Sequence, residues 1–176
     1  DPFKKIKLKR QKTFREFLLD DELEKVENLE LEKGSMMNHH RNLYIFNAYS
    51  GGIRISDLLL MCWKNFNGVH LYFQVKKTKE ELSIKLPQKS LDILQFYKTY
   101  QGKSEPNDLE SFIFPLLNIK PDETDKLKLF NAISSATAYT NKNLRKISVL
   151  ANIPKKISFH TARHSWAVRA LQKGMR

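Results

Sequence analysis

The sequence predicts a mainly α-helical domain carrying one small antiparallel β-sheet. Apolar residues recur at three- and four-residue spacing along most of the chain, and that period gives way to alternation in one stretch, 69–86, split by a lysine-rich turn. With 176 residues, 41% of them hydrophobic, the chain suits a single domain with a real core.

In order along the chain, residues 4–12 carry Lys4, Lys5, Lys7, Lys9, Arg10 and Lys12 and read as an extended basic arm or linker over 1–15, or equally as a solvated tail. Asp20 is placed to cap a helix over about 21–31, with Leu23, Val26 and Leu29 on one face and acidic residues in the first turn, where the helix dipole favours them. Lys33-Gly34-Ser35 breaks the pattern. A second helix runs from about 36 to 49, with Leu43, Phe46 and Tyr49 turned inward, and ends at Gly51-Gly52. A third covers about 56–62, capped by Ser56.

Val69, Leu71, Phe73 and Val75 then point one way, and Leu82, Ile84 and Leu86 repeat the alternation across Lys76-Lys77-Thr78-Lys79-Glu80, giving a β-hairpin with a basic tip that Pro87 ends. Helix resumes over about 89–100. Residues 101–111 are loop, rich in turn formers, and neither side has enough apolar sequence to make this a domain boundary. Phe112–Leu117 is a short apolar piece. A long helical stretch over about 122–151 is expected to break near Thr137–Thr140 and to stop at Pro154; a last helix runs from about Thr161 to Gly174. Residues 16–176 therefore form one domain, with no internal repeat.

The net charge is +12, and its distribution is informative. Residues 1–32 hold 8 Lys/Arg and 9 Asp/Glu, whereas residues 33–176 hold 23 and 10. A basic body of this kind attracts polyanions, nucleic acid before a membrane surface, since no basic amphipathic helix with exposed aromatics is evident. Cys62 is the single cysteine, so neither an internal disulfide nor a zinc site on paired cysteines can form. No apolar run reaches the roughly 18 residues that span a bilayer.

Three basic elements carry candidate chemistry. In Gly52-Ile53-Arg54-Ile55-Ser56-Asp57, Arg54 follows a glycine turn at a helix start, and Asp57, three residues on, can orient its guanidinium; alone, the pair reads first as a helix-end ion pair. The hairpin tip presents Lys76, Lys77 and Lys79, able to contact DNA or to protonate a leaving alkoxide; alone, these lysines read first as protection of an exposed edge. In Phe159-His160-Thr161-Ala162-Arg163-His164, His160 and Arg163 share a helix face near free N–H groups, a spacing that also arises by chance.

Together, in this order, these elements resemble the tyrosine recombinase/integrase family, particularly the integrases of phages and mobile elements. Gly52-Ile53-Arg54-Ile55-Ser56-Asp57-Leu58 is similar to its first conserved box, Lys77-Thr78 to its hairpin lysine, and His160-Thr161-Ala162-Arg163-His164-Ser165-Trp166-Ala167 to its second box. The resemblance covers roughly the whole chain. It implies DNA integration or recombination by a cofactor-free, metal-free transesterification through a 3′-phosphotyrosyl link. Arg54 and Arg163 would stabilise charge on the phosphate, Lys77 would protonate the departing 5′-oxygen, and His160 would hydrogen-bond the phosphate or assist the tyrosine's proton transfer. Lys76, Lys79, His164, Lys4 and Lys5 would contact DNA. The implied partners are double-stranded DNA and, in the full-length protein, further copies of itself; the implied setting is the bacterial cytoplasm, at the nucleoid.

The family's nucleophilic tyrosine follows the second box. Here Tyr44, Tyr49, Tyr72, Tyr97, Tyr100 and Tyr139 all precede it, and none is expected near the site. The chain is thus expected to be a catalytic domain cut before its nucleophile, able to bind DNA but not cleave it. A non-catalytic DNA-binding protein of the same fold is the alternative, and an RNA-binding helical module a further one.

Overall fold

The structure, a computed structural model, describes residues 15–100 and 109–174. The expected arm, with Lys4 and Lys5, falls outside the described residues apart from Arg15. The described residues form six α-helices and one hairpin: α1 Asp20–Glu27, α2 Met36–Tyr49, α3 Ile55–Leu59, β1 His70–Gln74, β2 Glu81–Lys85, α4 Gln88–Tyr100, α5 Lys126–Leu150 and α6 Phe159–Gln172. The expected class, mainly helical with one small antiparallel sheet, is what the chain forms. No helix among the described residues is long and apolar enough to cross a membrane.

The centre of the fold is α2, nearly all of which is buried and which packs against α1, α4, α5 and α6. Leu43, Phe46, Leu58, Trp63, Tyr97, Phe114 and Leu144 belong to the core around it. A helix buried all round must satisfy its polar side chains internally. Asn143 of α5 donates to His40 Nδ1 at 2.9 Å, and His39 Nδ1 pairs with the Tyr97 hydroxyl at 3.1 Å. Burial pushes His40 down to about 4, with neighbouring His39 adding to the effect; burial lowers His39 too.

Several boundaries differ from expectation for local reasons. Leu19 is the N-cap of α1, and Asp20 is its first helical residue; Glu22 reaches back to accept from the Leu19 N–H at 2.8 Å. That helix stops at Glu27 rather than near 31, and Arg41 of α2 donates to the Glu27 and Leu29 carbonyls at 2.8 and 2.9 Å. α3 is capped by Arg54, not Ser56, and ends at Leu59; a 3₁₀ turn, Trp63–Asn65, follows. α5 runs unbroken for 25 residues from its N-cap Asp125. At the expected break, Thr137 donates to the Ile133 carbonyl at 2.7 Å within the helix, and Thr140 is buried.

The hairpin pairs His70 with Lys85 through Gln74 with Glu81. Leu71, Val75 and Leu86 are buried and Phe73 and Ile84 half-buried, as the alternation implies. Val69 and Leu82 are exposed, so the apolar face is covered only along its middle.

Candidate functional site

Arg54 owes its direction to its backbone. As N-cap of α3 it is extended, and its carbonyl accepts from the Asp57 and Leu58 N–H groups at 3.0 and 2.9 Å, which leaves its side chain outside the helix. Gly51 and Gly52, with φ of 84° and 60°, turn the chain into that corner. Gly52 has a second reason to be glycine: a Cβ there would stand 3.2 Å from the Arg163 Cα. The loop before α3 thus lies directly on the backbone of α6, and the two motifs, over a hundred residues apart, meet.

Arg54, Asp57 and Arg163 line one open cavity of about 190 Å³, and Val75, Thr78 and Glu80 of the hairpin line it too. Asp57 is 6% exposed, and neither of its carboxylate oxygens has a hydrogen-bond partner among the described residues. Burial holds the Arg163 guanidinium below its usual range, Arg54 adds to that, and Asp57 opposes it. Arginine remains charged through such a shift, so the cavity holds two cations beside a buried carboxyl group. A phosphate group is the chemical complement of two guanidiniums in one cavity.

The hairpin tip is closed by Val75 N–H donating to the Glu80 carbonyl and Lys79 N–H to the Val75 carbonyl, each at 2.8 Å, with Lys79 at a φ of 62°. Lys76, Lys77 and Lys79 are all exposed. The Lys76 ammonium is weakened by partial desolvation, while Asp57 strengthens it and Lys79 weakens it. Thr78, next to Lys77, is one of the cavity's walls.

On α6, Phe159, Thr161, Ala162 and Ser165 are buried, which leaves His160, Arg163 and His164 on the outer side. The His160 and His164 rings meet edge to face, with centroids 4.5 Å apart. Burial lowers His164, and His160, Arg15 and Arg163 lower it further, so its ring is neutral at neutral pH. Few N–H groups at the start of α6 are free: Phe159 N–H goes to Asn141 Oδ1 at 2.8 Å, and Thr161 N–H to the Ser158 carbonyl at 3.0 Å.

Of the expected site residues, Arg54, Asp57 and Arg163 share the cavity; the lysines stand at its hairpin side, and His160 and His164 flank Arg163 on α6. One tyrosine comes closer than expected. Tyr44 of α2, fully buried, bonds Thr161 Oγ1 at 2.9 Å, one residue from His160 but from inside the fold. Burial raises its phenol well above the ordinary value, so it stays protonated.

Residues 16–176 match the phage integrase family. The chain belongs to that family. A tyrosine recombinase of Pseudothermotoga lettingae is 27% identical over 163 residues, covering 91% of this chain and 48% of its own length. The crystal structure of the XerA recombinase superposes with a TM-score of 0.63 at 15% identity, over 92% of this chain and 53% of that one, a likeness in fold. This phage integrase family chain spans about half the length of both relatives.

Proposed function

We propose that these residues form the phosphate-binding part of a site-specific DNA recombinase that cleaves and rejoins strands through a 3′-phosphotyrosyl intermediate. The observation that carries the reading is the seating of Gly52 on the Arg163 backbone, which supports two arginines acting on one phosphate. In the cleavage step a tyrosine oxygen bonds to phosphorus, the bond to the 5′-oxygen breaks, and a proton passes to that oxygen. Arg54 and Arg163 stabilise the charge that builds on the nonbridging oxygens. Asp57, expected to orient Arg54, makes no hydrogen bond to either arginine and acts on Arg163 through its charge alone, and His160 hydrogen-bonds the phosphate or takes the tyrosine's proton. Lys77 protonates the departing oxygen; Lys76 is the rival for that task, supported by its weakened ammonium beside Asp57. Lys79 and His164 bind the DNA backbone. Rejoining is the reverse reaction with a new 5′-hydroxyl, so phosphodiester energy is conserved. The partners are duplex DNA and, during strand exchange, further copies of the protein.

The attacking tyrosine is none of the six in the sequence. Tyr44 and Tyr97 are buried, Tyr139 packs on His40, Tyr49 lies under Arg169, Tyr100 packs on His39, and Tyr72 is on the hairpin away from the cavity lining. The test uses the protein expressed with the flanking sequence of its reading frame, incubated with suicide duplexes and run on a denaturing gel. A covalent adduct is expected, and Arg54→Ala, Arg163→Ala and either Lys77→Ala or Lys76→Ala should abolish it. DNA binding with no adduct under any condition refutes strand cleavage and favours a non-catalytic DNA-binding protein of this fold.

A further inference from the structure

The rotation of α6 about its own axis decides whether Arg163 reaches the cavity, yet apolar packing does little to fix it. Apart from Phe159, the buried side chains of α6 are Thr161, Ala162 and Ser165, all small and two of them polar. Successive residues on a helix are about 100° apart, so a slip of one position would swing Arg163 away from Arg54. Small side chains offer few interlocking shapes to resist such a slip.

Directional bonds take over that task. The Thr161 hydroxyl donates to the Ser158 carbonyl at 2.7 Å, so its remaining lone pair accepts from the Tyr44 hydroxyl at 2.9 Å. Asn141 Oδ1 of α5 accepts the Phe159 N–H at 2.8 Å. Ser165 donates to the Thr161 carbonyl at 2.9 Å and accepts the Leu18 N–H at 2.8 Å. Three separate parts of the chain therefore grip one side of α6, and the opposite side carries the phosphate-binding groups.

We propose that Tyr44 and Asn141 are positioning residues: their bonds to Thr161 and to the Phe159 N–H set the rotation of α6 and so aim Arg163 into the cavity. This rests on the phosphate-binding reading above. It predicts coupling through Arg163 rather than a general loosening of the fold.

The experiment is a double-mutant cycle on duplex DNA binding at low salt, using the chain as it stands. Tyr44→Phe removes one oxygen and no bulk; Asn141→Ala removes the acceptor. Each should weaken binding about threefold or more in the unmodified chain and reduce the salt slope, the combined variant by about one phosphate contact. In an Arg163→Ala background each should change affinity by less than about 1.5-fold, because contacts sharing one route are not additive. Equal weakening in both backgrounds overturns the proposal, as does no weakening in either. Amide exchange supplies a reading independent of DNA. The Phe159 N–H should exchange about tenfold faster in Asn141→Ala, with the amides of α2 unchanged; unchanged Phe159 protection also overturns the proposal. Failure of the unmodified chain to bind DNA sinks the phosphate reading and the aiming role with it, and the exchange result then decides the docking of α6 alone.

Discussion

Gly52→Ala is the most direct probe of how the two arginines are brought together. The substitution has two separable costs. A left-handed backbone at φ 60° costs an alanine about 1–2 kcal/mol. The new methyl carbon would also stand 3.2 Å from the Arg163 Cα, closer than carbon atoms pack, and its neighbour is helix backbone that cannot rotate aside. Relief requires a shift of a few tenths of an ångström between the loop before α3 and α6. Together the costs come to about 2–3 kcal/mol, and at about 2–4 °C per kcal/mol for a domain of this size the melting temperature should fall by about 4–12 °C. Gly68→Ala is the control: its φ is 98°, but nothing lies within 4 Å of the added carbon. Both variants should melt lower. Only Gly52→Ala should also lose affinity for duplex DNA, by about three- to tenfold, the scale of one weakened phosphate contact. Thermal melts and fluorescence anisotropy at one fixed low salt concentration measure both quantities. Equal DNA affinity of the two variants would refute the claim that this contact aligns the site.

Further outcomes follow from the same geometry. Binding of duplex DNA should be sequence-independent and fall steeply with salt; Arg54→Ala and Arg163→Ala should each weaken it modestly and lower the log–log salt slope by about one, and a flat salt dependence would count against the phosphate reading. The 176 residues alone should form no covalent adduct on suicide duplexes, since none of their tyrosines lines the cavity; an adduct would reveal a misplaced nucleophile. His40 is held at about 4 in the fold against 6.5 when unfolded. The unfolded chain therefore binds more protons between those values, and stability, complete above pH 6.5, declines as pH falls towards 4 by up to about 3 kcal/mol from this residue. Melts at pH 7.5 and 5 should differ, and His40→Gln should flatten the difference; an unchanged slope would show that His40 is not its source.

The parts of this structure legible in the sequence are those governed by local rules. The switch from helical period to alternation marked the hairpin, and Gly51-Gly52 marked the end of α2. The motif residues Arg54 and Arg163 were visible because their spacing and neighbours are themselves a pattern. What escaped depends on partners distant in sequence. The break expected near Thr137–Thr140 does not form, because packing of α5 on α2 overrides the low helix propensity of the threonines there. Val69 and Leu82 fit the alternation, yet no core reaches them. Tyr44, Asn141 and the Gly52 contact with Arg163 leave no local mark, because each acts across 18 to 117 residues of chain.

Asp57, finally, makes the cavity costly before any ligand arrives. A buried carboxylate without hydrogen bonds, facing a desolvated guanidinium crowded by a second one, is an arrangement that apolar side chains of similar shape commonly outdo in stability. The variant Asp57→Leu with Arg163→Met should accordingly melt no lower than the unmodified chain while losing affinity for DNA; a large drop in melting temperature would show that the charges hold the fold together. Under the phosphate-binding reading, part of the attraction for that group is relief of the crowding between the two guanidiniums, which an anion held between them offsets. Stability and function pull in opposite directions at these positions, and a lineage under pressure only to stay folded would shed this cluster early.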